Sequence, residues 1–205
     1  MVSIITPWHN APELIPIYER CNAGAQVVII DNASTEANAS LLLLMAERMG
    51  GLYIRNETNR LFAHANNQGL EVATGDVIVF LNNDTEAPPG WVDRVAEDVT
   101  GEALYGPSLK ERDIAGRLVP YIEGWCIAAR RETWDMLGGW PTTLPGLYWE
   151  DNILCFGARE LGIELAQTRW PVWHYNNYTS AKVAGSYDHS EANAKAFAQI
   201  VTEAA

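Results

Sequence analysis

The chain has 205 residues, 48% of them apolar and 20% charged, which is ordinary globular composition with length enough for one domain and a sizeable core. Its formal net charge of −12 has the wrong sign for a nucleic-acid binder, whose affinity comes from Lys and Arg. The same excess means that any phosphate-bearing ligand needs local positive charge, and a divalent cation is the usual supply.

The predicted elements begin with a short β-rich run, Val2 to Thr6, and a helix over Ala11 to Cys21. Gln26 to Ile30 is a second β-branched run that stops at Asp31-Asn32-Ala33-Ser34. A helix over Thr35 to Met49 is halted by Gly50-Gly51, a strand follows over Leu52 to Arg55, and a helix over Leu61 to Ala73 is closed by Gly75. Val77 to Leu81 reads as a buried strand with Asn82-Asn83-Asp84 at its C-terminal end, and Pro88-Pro89 opens a helix near Trp91. Near-continuous apolar strands alternating with helices imply a mostly parallel α/β sheet covered on both faces. In such sheets ligands bind beyond the carboxyl ends of the strands, where both polar clusters fall.

From about Ala103 the chain becomes rich in Gly, Pro and Trp. A hairpin is expected within Leu104 to Val119, a strand over Ile122 to Ala129, and a short helix through Leu137. A loop follows from Gly138 to Trp149, then a helix opened by Glu150-Asp151 and running through Leu161, whose first turn suits carboxylates. A strand over Ile163 to Thr168 and a tail helix over Ser186 to Ala204 complete the chain. This half is expected to be an acceptor-facing part of the same sheet, so that 1–205 form one domain, with 1–102 as its ligand-binding first half and 103–205 as the second.

The longest apolar runs, Leu41 to Ala46 and Val77 to Leu81, are far below the roughly 20 residues of a membrane span. Met1 passes straight into an apolar run without a basic segment, so neither a signal peptide nor a membrane span is expected. Cys21, Cys126 and Cys155 are widely spaced, which disfavours a disulfide framework or a cysteine zinc site and suits a reducing cytoplasm. N-x-S/T triplets occur at Asn32, Asn38, Asn56, Asn83 and Asn177, two of them inside the polar clusters that glycosylation would damage.

Several residues are candidates for chemistry, each with a plainer alternative. Asp84 can hold Mg²⁺ or Mn²⁺ against phosphates, or Asn82-Asn83-Asp84 can be a polar turn. Asp31 and Asn32 can bind a base or ribose, or form an Asx-turn and helix cap. His174 is a metal ligand from a distant segment or a half-buried histidine among aromatics. Asp151 and Glu150 are a general base with its neighbour, or helix caps. Trp125, Trp140, Trp149 and Tyr148 can stack on sugar rings or fill a core. There is no G-x-x-x-x-G-K-S/T loop, no G-x-G-x-x-G after the first strand, no G-x-S-x-G and no H-E-x-x-H.

Taken in order, these segments resemble the family-2 glycosyltransferases of the GT-A fold, especially their rhamnosyltransferase-like branch. Val2 to Asn10 looks like the family's opening strand and turn, with Thr6 and Pro7 on the donor side and His9 where Tyr is usual. Val28 to Ser34 is similar to the family's V-D-N-x-S, whose Asp contacts the nucleoside. Asn59 through Gly69 resembles N-x-G-F-A-x-x-x-N-x-G, keeping Asn59, Asn67 and Gly69 and departing at Arg60-Leu61-Phe62. Ala73 to Asp84 resembles A-x-G-D-x-x-x-x-L-N-x-D, a D-x-D motif with Asn82 first and Asp84 as the metal position. Gly138-Gly139-Trp140 and Tyr148 to Cys155 resemble G-G-F and E-D-x-D-L-C, with Asp151 at the base position and Asn152-Ile153 replacing x-Asp. His174 stands where the family has a late metal ligand, and Thr179-Ser180 fits its trailing Ser.

The resemblance implies an inverting transferase that uses Mn²⁺ or Mg²⁺ and a UDP-, dTDP- or GDP-sugar donor. Asp31, Asn32, Asn59, Asn67, Asn82 and Asn83 would then bind the donor, with Asp84 and His174 on the metal. The acceptor would be a glycan, a lipid-linked molecule or a protein. The chain is short for the family, so the acceptor cleft is expected between Leu104 and Trp149, with room for a homo-oligomer or partner to complete it. Two other readings are a binding protein that has lost turnover, against which Asp84, Asp151 and His174 speak together, and a nucleotidylyltransferase, which lacks its Gly-rich loop.

Overall fold

The computed structural model describes residues 1–144, 147–175 and 189–204. The fold begins with strand β1 (Val2–Trp8), a 3₁₀ turn over Pro12–Leu14, α1 (Ile15–Cys21), β2 (Gln26–Asn32), α2 (Glu36–Arg48) and β3 (Leu52–Asn56). It continues through α3 (Leu61–Val72), β4 (Val77–Leu81), β5 (Thr85–Glu86), α4 (Trp91–Asp98) and β6 (Ala103–Gly106). The remainder is β7 (Leu109–Ile114), β8 (Arg117–Ile122), β9 (Cys126–Arg130), α5 (Arg131–Leu137), α6 (Glu150–Glu160), β10 (Glu164–Gln167), β11 (Trp173–His174) and α7 (Ser190–Glu203).

Seven strands form one sheet in the order β10-β6-β9-β4-β1-β2-β3. It is parallel except at β9, which runs antiparallel to both β4 and β6. Strands from both sides of residue 102 therefore share one sheet. The apolar runs explain its two covered faces. Ile4, Val27, Ile29, Val77 and Val79 point into one core with Leu42, Met45 and Trp91, while Ile5, Val28, Ile30, Ile78 and Phe80 point into another with Trp134 and Trp140. Alternation along each strand sends successive side chains to opposite cores, which is why these runs are nearly continuous in apolar residues. Gly69 lets α3 lie close on β1: a Cβ there would sit 2.2 Å from Ile5 Cγ2.

The expected hairpin is shifted. Ala103–Gly106 joins the main sheet beside β10, and the hairpin proper is the separate two-stranded pair β7–β8. The expected strand from Ile122 breaks at Glu123-Gly124-Trp125, because Ile122 closes the hairpin and β9 begins only at Cys126. β5 and β11 are two-residue strands that pair with one another, too short to show a period in the sequence. Of the tail helix, 190–203 are helical; residues 186–188, with Asn177 and Thr179-Ser180, lie outside the described residues. No described helix is long and apolar enough to cross a membrane.

Candidate active site

Strand order reverses direction between β1 and β4, since β2 and β3 lie to one side of β1 and β4 to the other. The polar clusters that follow β2 and β4 flank this switch point, the usual binding crevice of an open α/β sheet. At the β2 end, Asp31 is wholly buried. Its carboxylate accepts from the Ser34 N–H at 2.8 Å and the Tyr53 hydroxyl at 2.6 Å, and Arg55 Nε lies 3.6 Å away. Asn32 donates to Asn59 Oδ1 at 2.8 Å and accepts from the Arg60 N–H at 2.9 Å, which ties the start of α3 to β2. Thr6 turns its hydroxyl back to Tyr18, 2.7 Å away, and Pro7 is half-buried beside it.

At the β4 end the pairing of β11 with β5 brings a segment ninety residues distant onto Asp84. His174 pairs with Thr85 in register, and the Tyr175 N–H donates to the Asp84 carbonyl at 2.9 Å. His174 Nε2 then lies 3.0 Å from Asp84 Oδ1 and 3.4 Å from Asn82 Nδ2. The imidazole stacks on Trp125, with ring centres 5.2 Å apart and planes 13° from parallel. Trp125 also holds the strand end, since its carbonyl accepts the Asn82 N–H at 2.9 Å. Asn83 and Asp84 are buried.

The next residue back, Gly124, reaches the other half of the site. Its N–H donates to Asp151 Oδ2 at 3.0 Å, while Asp151 Oδ1 accepts from the backbone and side chain of Asn152 at 2.8 and 2.7 Å. A Cβ at Gly124 would lie 3.3 Å from Asp151 Cβ and 3.4 Å from the Trp140 ring, so a side chain here would make Asp151 give by a few tenths of an ångström. Burial raises the Asp151 carboxyl above its usual range, partly offset by these hydrogen bonds. Burial also pushes Glu150 up from 4.5 to about 7, with the Asp151 charge adding to the rise. A pair of carboxylates with raised affinity for protons, in a cleft, is a signature of acid–base chemistry.

A cavity of about 340 Å³ connects the two halves. Among the residues expected from sequence it is lined by Asn82, His174, Trp125, Trp149, Tyr148, Glu150 and Asp151. Asp84 is joined to it through His174. Asp31, Asn32, Thr6, Pro7, Asn59 and Asn83 are not in its wall. Trp140, expected to face an acceptor, is 2% exposed and packs in the core against Phe62, Phe80 and Trp134. Asn67 is committed to it: its amide donates to the Trp140 carbonyl at 2.9 Å and accepts the Trp140 N–H at 2.8 Å.

Other lining residues carry no expected site role, among them Phe62, Arg112, Tyr121 and Glu123. Glu123 accepts from the Ser108 hydroxyl and from Trp125 Nε1 at 3.3 Å, so it anchors the ring that backs His174. The one available signal was Gly124 between Glu123 and Trp125, where the expected strand had to break.

Among the described residues no group of three or more His, Cys, Asp or Glu side chains forms a metal cage. The arrangement that comes nearest to one is the Asp84–His174 pair, with Asn82 beside it. Two donors about 3 Å apart match the edge of an octahedron with bonds of roughly 2.1 Å, so the pair fits Mn²⁺ or Mg²⁺ as adjacent ligands. Such cations commonly keep their remaining positions for water and substrate phosphate oxygens, which fits a site with only two protein ligands.

Over 92 residues the chain is 34% identical to the amylovoran biosynthesis glycosyltransferase AmsB of Erwinia amylovora, covering 41% of this chain and 31% of that protein. It is 28% identical over 106 residues to an undecaprenyl-phosphate 4-deoxy-4-formamido-L-arabinose transferase of Sodalis glossinidius, covering 47% and 32%. The chain thus aligns with about a third of the length of these curated relatives. Among solved structures it superposes on the mannosyltransferase PcManGT of Pyrobaculum calidifontis, in complex with GDP-Man and Mn²⁺, with a TM-score of 0.61 and 25% identity over 82% of this chain and 54% of that one. It shares its fold with TarS of S. aureus, with a TM-score of 0.64 and 14% identity over 86% and 60%. Residues 3–134 match glycosyl transferase family 2, from β1 through α5 and so through both strand-end clusters and the Gly124 turn, and the chain belongs to that family.

Proposed function

We propose that the chain is an inverting glycosyltransferase of the rhamnosyltransferase-like branch, moving a sugar from a nucleotide-diphosphate donor to an acceptor hydroxyl with a divalent cation at the Asp84–His174 pair. The observation that carries this reading is that His174, which lies against Asp84, and Asp151 border one cavity, linked by the three residues Glu123 to Trp125. The named partners of similar proteins support it: one solved relative holds GDP-Man and Mn²⁺, and two curated relatives are sugar transferases. The donor would be a UDP-, dTDP- or GDP-sugar. The acceptor would be a glycan, a lipid-linked molecule or a protein. Residues 1–102 would hold the donor and 103–205 face the acceptor, within one cytoplasmic domain.

When bound, the cation would neutralise the diphosphate and stabilise it as a leaving group. Asp151 takes the proton from the acceptor hydroxyl as that oxygen forms its bond to the anomeric carbon. On the opposite face the bond from this carbon to the phosphate oxygen breaks, the electron pair leaves with the nucleoside diphosphate, and the configuration inverts. The Gly124 N–H and Asn152 fix the direction of the Asp151 carboxylate, and its raised proton affinity makes it a better base than an exposed Asp. Glu150, holding its proton to about pH 7, is placed to hold an acceptor oxygen.

The test is a thermal-shift screen of nucleotide sugars with Mn²⁺, followed by single-turnover transfer. A donor at a hundred times its Kd stabilises by roughly 2.7 kcal/mol. Asp151→Asn keeps shape and loses basicity, so transfer should fall by about 10²–10⁴-fold while donor affinity holds. Near-normal transfer by Asp151→Asn, with loss in Glu150→Gln, would move the base to Glu150.

A further inference from the structure

Arg112, in β7, lines the cavity that holds Asp151. Its guanidinium lies 4.2 Å from the centre of the Trp149 ring and 5.1 Å from that of Tyr121, and donates to the Tyr121 hydroxyl at 3.0 Å. Among the described residues it forms no ion pair, although Glu123, Glu150 and Asp151 line the same cavity and the chain carries 26 acidic residues. Two aromatic rings thus flank the cation, and among the described residues the Tyr121 hydroxyl is its one hydrogen-bond partner.

A guanidinium flanked by aromatic rings, with donors left over among the described residues, is suited to bidentate pairing with an oxyanion. Its place in the cavity decides which oxyanion. The donor end is marked by Asn82, Asp84 and His174, which stacks on Trp125. Asp151 is joined to this end through Gly124, and Arg112 rests against Trp149, whose indole N–H reaches Ser190 Oγ at 3.3 Å. An anion at Arg112 would therefore sit at the Trp149–Ser190 wall of the cavity, against residues other than those that hold Asp84.

We infer that Arg112 forms a subsite for an anionic group of the acceptor, a phosphate or a carboxylate, at the Trp149 end of the cavity. The inference rests on the glycosyl-transfer reading for the word acceptor, but the binding it describes does not need turnover. The raised proton affinity of Glu150 keeps part of the cavity's negative charge neutralised near pH 7, which lowers the repulsion an arriving anion meets. Arg112 in turn sets the register of the acceptor, with its hydroxyl toward Asp151.

The experiment is a saturation-transfer NMR titration of the full chain with glucuronate, glucose 6-phosphate and uncharged glucose. At least one of the anionic sugars should bind about tenfold more tightly than glucose, the usual scale of a charge-assisted pair. Preference for glucose 6-phosphate alone assigns the subsite to phosphates, and preference for glucuronate alone assigns it to carboxylates. Arg112→Gln should bring the anionic sugar down to the level of glucose. Arg112→Lys, which keeps charge without the fork, should restore part of the preference and guards against loss of folding in the first variant. Asp84→Ala should leave the preference intact, which separates this end of the cavity from the donor end. Equal binding of all three sugars, or an anionic preference that survives in Arg112→Gln, overturns the inference and leaves Arg112 as a brace for Trp149. Mn²⁺-dependent nucleotide-sugar binding, followed in parallel, reports separately on the glycosyl-transfer reading.

Discussion

Replacing Glu150 by Gln should make the protein relatively more stable as the pH rises. Glu150 is 6% exposed, at the first turn of α6 beside Asp151, and burial raises its proton affinity from an ordinary 4.5 to about 7. Between those values the folded chain keeps a proton that the unfolded chain has released. Stability contributed by the protonated group is present below pH 4.5, declines through the window, and is gone above about 7. A displacement of this size corresponds to roughly 3 kcal/mol as an upper figure. Gln matches Glu in shape and does not titrate, so it is free of the loss. Urea unfolding of wild type and Glu150→Gln at pH 5, 6, 7 and 8 reads this directly. The stability of the variant relative to wild type should climb with pH, by a few kcal/mol in total, and level off near pH 8. Asp151 titrates in both proteins, so most of its contribution cancels in the difference. A stability difference that stays constant across the range would refute the claim that Glu150 is a buried acid with a raised pKa.

Other substitutions test the supports of the site. Gly124→Ala should push Asp151 out of line, because the new Cβ meets its Cβ at 3.3 Å; single-turnover transfer should fall while donor affinity, followed by calorimetry, stays near wild type. Trp125→Ala should weaken Mn²⁺-dependent donor binding by freeing the stacked His174, and Trp125→Phe should recover part of it. Asn193→Ala removes the buried amide that donates to the Leu147 and Tyr148 carbonyls at 3.2 and 3.1 Å. It should cost about 1–3 kcal/mol in chemical denaturation. It should also slow transfer, because it releases the backbone at Tyr148 and Trp149, whose φ of 73° and 78° aim the chain into Glu150-Asp151.

The first half of the fold was legible because its strands are apolar throughout and its helices are punctuated by Gly and Pro. Val77 to Leu81 was read to the residue, and Asp84 could be placed at its C-terminal end before any coordinates. The second half was read less well for a physical reason. There the short strands owe their place to partners distant in sequence: Ala103–Gly106 pairs with Glu164–Gln167, and two residues at 173–174 pair with two at 85–86. No local period marks such segments, so the route by which His174 reaches Asp84 was invisible even though its arrival was anticipated from the family pattern. The aromatics show the same limit. Trp125, Trp140 and Trp149 are alike in sequence, yet one stacks on His174, one fills the core and one carries Arg112. Arg112 gave no signal within Lys110-Glu111-Arg112-Asp113, because its role depends on two rings that only the fold brings together.

Calorimetry of a matched nucleotide sugar with and without Mn²⁺, on wild type, Asp151→Asn and Asp84→Ala, tests the central claim most directly. Wild type and Asp151→Asn should bind the donor with Mn²⁺ and much more weakly without it, whereas Asp84→Ala should bind weakly in both conditions while keeping its fold by circular dichroism. Metal-dependent affinity in Asp84→Ala equal to wild type would contradict the account, because the cation would then be held somewhere other than the carboxylate that β11 pairs with His174.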